Sequence, residues 1–578
     1  MSFWKNNILS STYRSIKTKL SDNSLKKVKR LFPITFFSNI IELLGVFLLF
    51  PIIQLMLKPN LFEEGSIFKD FFASIGIQTQ ENAILLSFSF VFLFFLFKNG
   101  IVYLVTKRTA KLQYQIATEI VLDSFEKHLD ENHTFFSKNN NAILLRNIRQ
   151  IPYEFVTFVL LPFITIINEI VILTIALGVI LYYSPILFFS MLVFSLPTLY
   201  LYTRFHKKKL TEISEKKDKY GGEQYRIAMQ ALESFVEIKV FQSKKFFIPK
   251  FKASSEYFEE TLKDSAVLNT FSPKITETVA IGSILLIVIV GAIFKIEPET
   301  LSSFLILFVV GSFRILPSLN KITLSLNYMK GNKHVIDLLP DHEKKKKTNI
   351  KQSELIFKKA IQFNNLSFKY NTTNQNVFSE IDFKIDKGAR IGIIGESGAG
   401  KTTFLALLLR FYKETTGNIS IDDTKLSESN LASWYNLISY VPQSVRLIDG
   451  DIAQNIAFGV EDNEIDYDKI ERIINQVHLK SFVDALPLGV KNTLGENNTD
   501  ISGGQKQRIG LARALYHGGE ILILDEATSA LDQDTERNIM EEINALKNYT
   551  VIFVTHRKSA LEKFDKVYEI KNGQFIEQ

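Results

Sequence analysis

The chain reads as an α-helical polytopic membrane domain of six spans fused to an α/β P-loop domain. Six apolar stretches carry the membrane half, at about 31–57, 83–105, 155–183, 186–202, 266–294 and 301–325, each long enough to cross roughly 30 Å of hydrocarbon. Residues 391–409 carry the second half, where a short apolar run ending at Ile394 gives way to GESGAGKT and then to an apolar helical pattern. Composition agrees, because the 49 phenylalanines among 578 residues are concentrated before residue 330, in long runs without charge.

Charge and cysteine usage narrow the classes of function. The formal net charge is +7, yet Lys and Arg cluster beside the apolar runs, so the charge points to a membrane rather than to nucleic acid. Cysteine is absent, which excludes disulfides and Cys-based metal sites. Lys5, Arg14, Lys17, Lys19, Lys26, Lys27, Lys29 and Arg30 precede any long apolar run. The beginning therefore has no signal-peptide pattern and is expected to stay cytoplasmic.

Along the membrane half, the connections at 106–154 and 203–265 are rich in Lys and Arg, whereas 58–82 has only Lys58 and Lys69 against Glu63, Glu64, Asp70 and Glu81. The first two are thus cytoplasmic and the third external. Spans three and four meet in a tight turn at Ser184-Pro185. Both cytoplasmic connections are long, polar and poor in Gly and Pro, and read as helical extensions of the spans with tips near Phe136–Leu145 and Lys217–Tyr225. In the outer loop, Phe68, Phe71, Phe72 and Ile75 recur at helical spacing, so a short amphipathic helix is expected near 61–77, lying on lipid or on protein.

Glu42, Lys98, Lys274, Glu277 and Arg314 fall inside spans, where an ionisable group is costly and usually faces a cavity or a partner. Lys98, Lys274 and Arg314 together suit an anionic cargo, with snorkelling to the cytoplasmic interface as the alternative. Glu277, one turn from Lys274, is a candidate partner for it. The membrane domain is assigned to residues 1–330, a linker containing DHEKKKKTN to 331–354, and the P-loop domain to 355–578.

In the P-loop, Gly395, Glu396, Ser397, Gly398, Ala399 and Gly400 form a turn whose backbone N–H groups can cradle phosphates. Lys401 reaches the β- and γ-phosphates, Thr402 offers a hydroxyl to Mg²⁺, and Thr403 completes the nucleotide-binding run. Downstream, the apolar ILIL at 521–524 ends in Asp525-Glu526, which places Asp525 beside Mg²⁺ and Glu526 as general base. Between them, ISGGQ at 501–505 opens a helical pattern.

The P-loop, ISGGQ, LILDE and the later His556, in that order and spacing, resemble the nucleotide-binding domain of an ABC transporter. Six spans followed by one such domain resemble an exporter half-transporter, a likeness that covers the whole chain. It implies that Tyr370 stacks on adenine, that Gln443 of YVPQ couples the Mg²⁺ site to the membrane half, and that His556 contacts the γ-phosphate. It also implies that Ser502, Gly503, Gly504 and Gln505 meet ATP held by an opposite subunit, with Asp532 crossing the same interface. One chain then cannot close a site, so a second copy is the expected partner, a heterodimer remaining open. One departure is LGENNTD at 494–500, where Glu496 keeps the acid of the usual Glu-Arg-Gly but the arginine is missing.

The stretches at 38–56 and 311–322, the outer helix and LGENNTDISGGQ resemble bacterial flippases of lipid-linked oligosaccharides. That resemblance implies a lipid-linked saccharide cargo, membrane lipid as surroundings and a bacterial inner membrane with the ATPase domain in the cytoplasm. An exporter of drugs or other lipids is the main alternative. A soluble ATPase acting on nucleic acid is disfavoured by the spans, and an importer subunit by the fusion of spans and ATPase in one chain.

Overall fold

The structure, a computed structural model, describes residues 8–57, 67–342, 353–370, 375–494, 501–528, 532–546 and 549–578. The chain divides into two units, Met1–Glu131 with Phe135–Lys346, and Asn132–Thr134 with Lys347–Gln578.

The first unit is helical: α1 (Ile8–Lys19), α2 (Asp22–Phe47), α3 (Leu49–Leu57), α4 (Ile67–Ser74), α5 (Gln80–Leu129), α6 (His133–Lys138), α7 (Asn141–Phe155), a π-helical turn (Val156–Leu160), α8 (Leu161–Tyr183), α9 (Pro185–Glu233), α10 (Phe235–Val240), α11 (Lys244–Ile293), α12 (Pro298–Gly331) and α13 (His334–Leu338). Among the described residues five helical runs are long and apolar enough to cross a membrane: Asp22–Met56, Gln80–Leu129, Asn141–Tyr182, Lys244–Ile293 and Pro298–Gly331. The expected fourth span begins as a shorter apolar stretch, Pro185–Thr198, of a helix that then turns polar. Ser184, with φ −155°, ends α8, and Pro185 starts α9 where its missing N–H costs nothing.

Burial follows the helical period. Ile172, Ala176 and Ile180 of α8 pack with Leu43 of α2, Ile287 of α11 and Phe304, Leu307 and Phe308 of α12. Between spans surrounded by lipid the gain from these contacts comes from packing rather than from the hydrophobic effect.

Both polar connections are helical, but the second tip is not at Lys217–Tyr225. Helix α9 runs unbroken through that stretch and the chain turns at α10 instead. The reason is Gly221-Gly222: a Cβ on Gly222 would lie 3.0 Å from Nη1 of Arg146, so the glycines leave a slot for the guanidinium. Arg146, 6% exposed, fills it and donates to the carboxylate and carbonyl of Asp218 at 2.9 and 3.2 Å. At the turn, Leu232, Phe235, Val236, Val240 and Phe241 are 57–73% exposed.

The outer helix α4 is shorter than the expected 61–77, of which 61–66 lies outside the described residues. Its stripe is also divided. Phe72 is buried with Leu55 and Ala83, pinning α4 to α3 and α5, while Phe71 and Ile75 are exposed; the side chain of Phe68 is not among those described.

The second unit contains β1 (Ala360–Lys369), β2 (Asn376–Asp386), β3 (Arg390–Ile394), α14 (Lys401–Leu408), β4 (Thr416–Ile421), β5 (Thr424–Lys425), α15 (Leu431–Asn436), β6 (Ile438–Val441), β7 (Gly450–Asp451), α16 (Ile452–Ile456), α17 (Tyr467–Gln476), α18 (Lys480–Asp484), β8 (Thr493–Leu494), α19 (Gly503–His517), β9 (Ile521–Asp525), α20 (Gln533–Ala545), β10 (Thr550–Val554), β11 (Lys566–Lys571) and β12 (Gln574–Glu577). Strands β2-β1-β4-β5 form an antiparallel sheet. A second sheet has the order β12-β11-β3-β10-β9-β6, parallel except for β12. Strands β9 and β10 are buried at every position, as expected of parallel strands covered on both faces, which is why ILILD and TVIFV lack alternation. The P-loop leaves the carboxyl end of β3 and Asp525-Glu526 the carboxyl end of β9, with β10 between them, so both motifs meet at one edge of the sheet.

Candidate nucleotide site and membrane charge cluster

The P-loop backbone is built around left-handed glycines, with φ +84° at Gly398 and +109° at Gly400. A Cβ at Gly400 would also come within 3.1 Å of the Phe378 ring. Both conformation and space therefore demand glycine. Gly400 is the N-cap of α14 and offers no side-chain bond, so the first-turn N–H groups are left for a ligand. Lys401 is 7% exposed and its ammonium donates to the carbonyls of Gly395 and Glu396 at 2.7 and 3.0 Å. Burial lowers its pKa, opposed by the charges of Glu526 and Asp525. Thr402 is exposed beside it, and Thr403, buried, bonds to the Tyr370 hydroxyl at 2.7 Å. Tyr370 packs edge-on to Phe368 and Tyr412.

Asp525 is nearly buried, and its pKa is raised by burial and then by the neighbouring charge of Glu526. The Tyr440 hydroxyl donates to it at 3.5 Å, and burial pushes that phenol's own pKa up. Glu526 adopts φ +47°. Its carboxylate accepts from Gln443 Nε2 at 2.7 Å and lies 3.0 Å from His556 Nε2. Two residues more than a hundred positions apart in the chain thus converge on one carboxylate.

Ser502 caps α19 in a reciprocal box with Gln505: its hydroxyl accepts from the Gln505 N–H, and the Gln505 amide oxygen accepts from the Ser502 N–H. Asp532 likewise caps α20 by accepting from Thr535, which holds its carboxyl below the usual range. Ser502, Gly503 and Asp532 are exposed, and no hydrogen bond or ion pair joins them to the P-loop among the described residues. Glu496 lies outside the described residues.

The three basic residues of the spans have different surroundings. Arg314 is 3% exposed, with Glu169 at 3.1 Å, Glu42 at 3.8 Å and Ser318 accepting from it at 3.0 Å. Glu169, 1% exposed, also takes Lys321 at 3.1 Å. Arg314 is charge-paired with Glu169, which offsets the desolvation that makes a lone arginine costly and leaves little open surface for an anion, while its Nε and Nη2 make no hydrogen bond among the described residues. Lys274 is largely exposed and pairs with Glu277 at 2.9 Å. Lys98 lies 4.2 Å above the ring of Phe95. Glu169 and Lys321 were not singled out from the sequence, although a glutamate in the run FITIINEIVIL is a clear signal, as is Tyr440 two positions before the proline of YVPQ.

Comparison with known proteins places these two units in one family. Residues 31–316 match the ABC transporter transmembrane region and residues 378–529 match the ABC transporter domain. An ATP-dependent lipid A-core flippase 2 of Colwellia psychrerythraea is 30% identical over 82% of this chain and 81% of its own length. An ATP-dependent lipid A-core flippase of Coxiella burnetii is 30% identical over 64% of this chain and 63% of its own, and one of Ralstonia nicotianae is 37% identical over 38% and 37%. The matched part therefore spans under two thirds of the latter two proteins. A solved bacterial Atm1-family ABC exporter with ATP bound shares the fold, with a TM-score of 0.78 over 95% of each chain at 19% identity. The protein is a multi-pass membrane protein that carries its own ATP-binding unit. It belongs to the ABC transporter family, as an exporter half-transporter.

Proposed function

We propose that two copies of this chain form an ATP-driven flippase for a lipid-linked oligosaccharide, set in a bacterial inner membrane with the ATP-binding units in the cytoplasm. The observation that carries the reading is the joining of both family regions in one chain whose relative, aligned across 82% of it, is named a flippase.

The chemistry assigned to the site is phosphoryl transfer to water. Loop N–H groups and Lys401 hold the phosphates, and Tyr370 holds the base. Glu526 takes the proton of the attacking water, with Gln443 and His556 orienting its carboxylate. The donor set of Thr402, Asp525 and Gln443 is made of hard oxygens and suits Mg²⁺, which when bound supplies charge neutralisation on the phosphates. Ser502, Gly503, Gly504, Gln505 and Asp532 reach the nucleotide of the second copy, a role supported by the exposure of Ser502, Gly503 and Asp532. Of the basic residues in the spans, Lys98 is the one that we retain as a ligand for an anionic linker, since among the described residues no carboxylate pairs with it.

The test is ATPase stimulation in proteoliposomes by polyprenyl-pyrophosphate glycans set against phospholipids and drugs. Stimulation by the glycan lipids supports the reading. Stimulation by drugs alone overturns the cargo and leaves an exporter of another class.

A further inference from the structure

Between α2, α5 and α12 lies an open cavity of about 280 Å³, with Ser38, Asn39 and Glu42 on one wall, Thr109 and Gln113 on another, and Lys321 at its edge. Its size is close to the lower end of the roughly 300–1,000 Å³ typical of small-molecule sites. The lysine-rich connections at 106–154 and 203–265 put the beginnings of the first span and the ends of the second and sixth at the cytoplasmic face. At 1.5 Å per residue, Ser38 to Glu42 then lie roughly 10–17 Å above the start of span one. Thr109 and Gln113 lie just past the cytoplasmic end of span two, so the cavity runs from the cytoplasmic face into the inner half of the membrane.

Its hydrogen-bonding capacity is largely unspent. The Thr109 hydroxyl is buried and has no partner. Ser38 is 6% exposed, and no side-chain hydrogen bond of Ser38, Asn39 or Gln113 is seen among the described residues, their backbones being bonded within α2 and α5. Thr35 and Thr106 beside them bond to their own helices, so the free groups are not a general property of this wall. Unpaired polar groups at this depth cost free energy unless a ligand or water meets them. The charges, by contrast, are already committed: Lys321 is held by Glu169 at 3.1 Å, and Glu42 leans towards Arg314 at 3.8 Å. A phosphate entering here would find a carboxylate and a shared cation. Hydroxyl groups, which both donate and accept, match hydroxyl and amide walls.

We propose that this cavity is the docking site for the saccharide headgroup of the lipid cargo, recognised by the uncharged groups of Ser38, Asn39, Thr109 and Gln113 rather than by basic residues. The inference rests on the flippase reading and adds that the sugar is read in this cavity, apart from the contact assigned to Lys98 for the anionic linker. Each wall group lost should weaken binding about tenfold, the worth of one hydrogen bond whose partner stays unpaired.

The experiment measures ATPase stimulation of the full dimer in proteoliposomes by a polyprenyl pyrophosphate carrying a glycan and by the same lipid without it. Thr109→Val and Gln113→Leu are each expected to raise the half-stimulating concentration of the glycan-bearing lipid about tenfold and leave that of the bare lipid unchanged. Equal shifts for both lipids, or none, overturn the inference while the flippase reading stands. A wild-type protein indifferent to both lipids overturns the two together. Because the chain has no cysteine, Gln113→Cys adds a single thiol that reports on access without any transport assay. Labelling by a water-soluble maleimide, slowed by the glycan-bearing lipid, supports the site. A thiol that stays unlabelled in the dimer means that the second copy covers the cavity, and overturns it.

Discussion

Glu526 is held in a left-handed backbone conformation that costs a non-glycine residue about 1 kcal/mol or more, and two side chains from distant elements fix its carboxylate. Glu526→Gln keeps size and hydrogen bonding and removes the base. ATP turnover is expected to fall by orders of magnitude while nucleotide binding persists, as read by phosphate release beside nucleotide trapping. Near-normal release would assign the base elsewhere. For Arg314 the pairing with Glu169 changes what substitution should do. Arg314→Ala leaves a buried carboxylate with Lys321 as its one cation beside the Ser318 hydroxyl, so unfolding in detergent should come at lower temperature, with a loss bounded by the roughly 3–5 kcal/mol of a broken buried pair. Unchanged melting with lost transport would return Arg314 to the cargo. The nucleotide residues were legible in sequence because loop chemistry fixes their spacing. Glu169 stands out as an acid in an apolar run, but its pairing was not legible, since the partner sits almost 150 residues away on another span and no local pattern announces the pair.

Elements were legible where period and length agree. The spans, the P-loop strand and the fully apolar strands β9 and β10 carry their own signals, while the breaks between elements depended on contacts made elsewhere. The glycine pair of α9 looks like a turn by propensity, each glycine costing about 1 kcal/mol in a helix, yet Arg146 from α7 occupies the space it leaves. Gly222→Val should displace that guanidinium, break its bond to Asp218 and lower stability by about 1–3 kcal/mol, measured by thermal unfolding. Where α13 meets α9, His334 bonds to Ser214, and burial lowers its pKa to about 4 from 6.5. The unfolded chain binds this proton at higher pH than the folded one. Stability from this group is therefore complete above about pH 6.5 and is lost as pH falls towards 4, on the order of 3 kcal/mol in all. His334→Gln should flatten that part of the stability-versus-pH curve; an unchanged slope between pH 4 and 6.5 would sink the assignment.

At the scale of the whole transporter, Lys401 and Ser502 belong to the same chain but are assigned to different sites of the dimer. Mixing Lys401→Ala chains with Ser502→Ala chains puts both lesions in one composite site and spares the other. Mixed dimers should therefore hydrolyse ATP faster than either mutant homodimer, in a co-expression assay with two purification tags. Mixed dimers as inactive as their parents would refute the shared sites. A single chain also ends its longest hairpin in five exposed apolar side chains, Leu232, Phe235, Val236, Val240 and Phe241. Such a surface is what holdase chaperones grip and quality-control proteases sample, so an unpaired chain is marked for removal even when each of its units is folded. If the second copy proposed above covers this surface, pairing sets the cellular lifetime of the transporter, and an inactive copy that still pairs should protect a scarce active one from degradation.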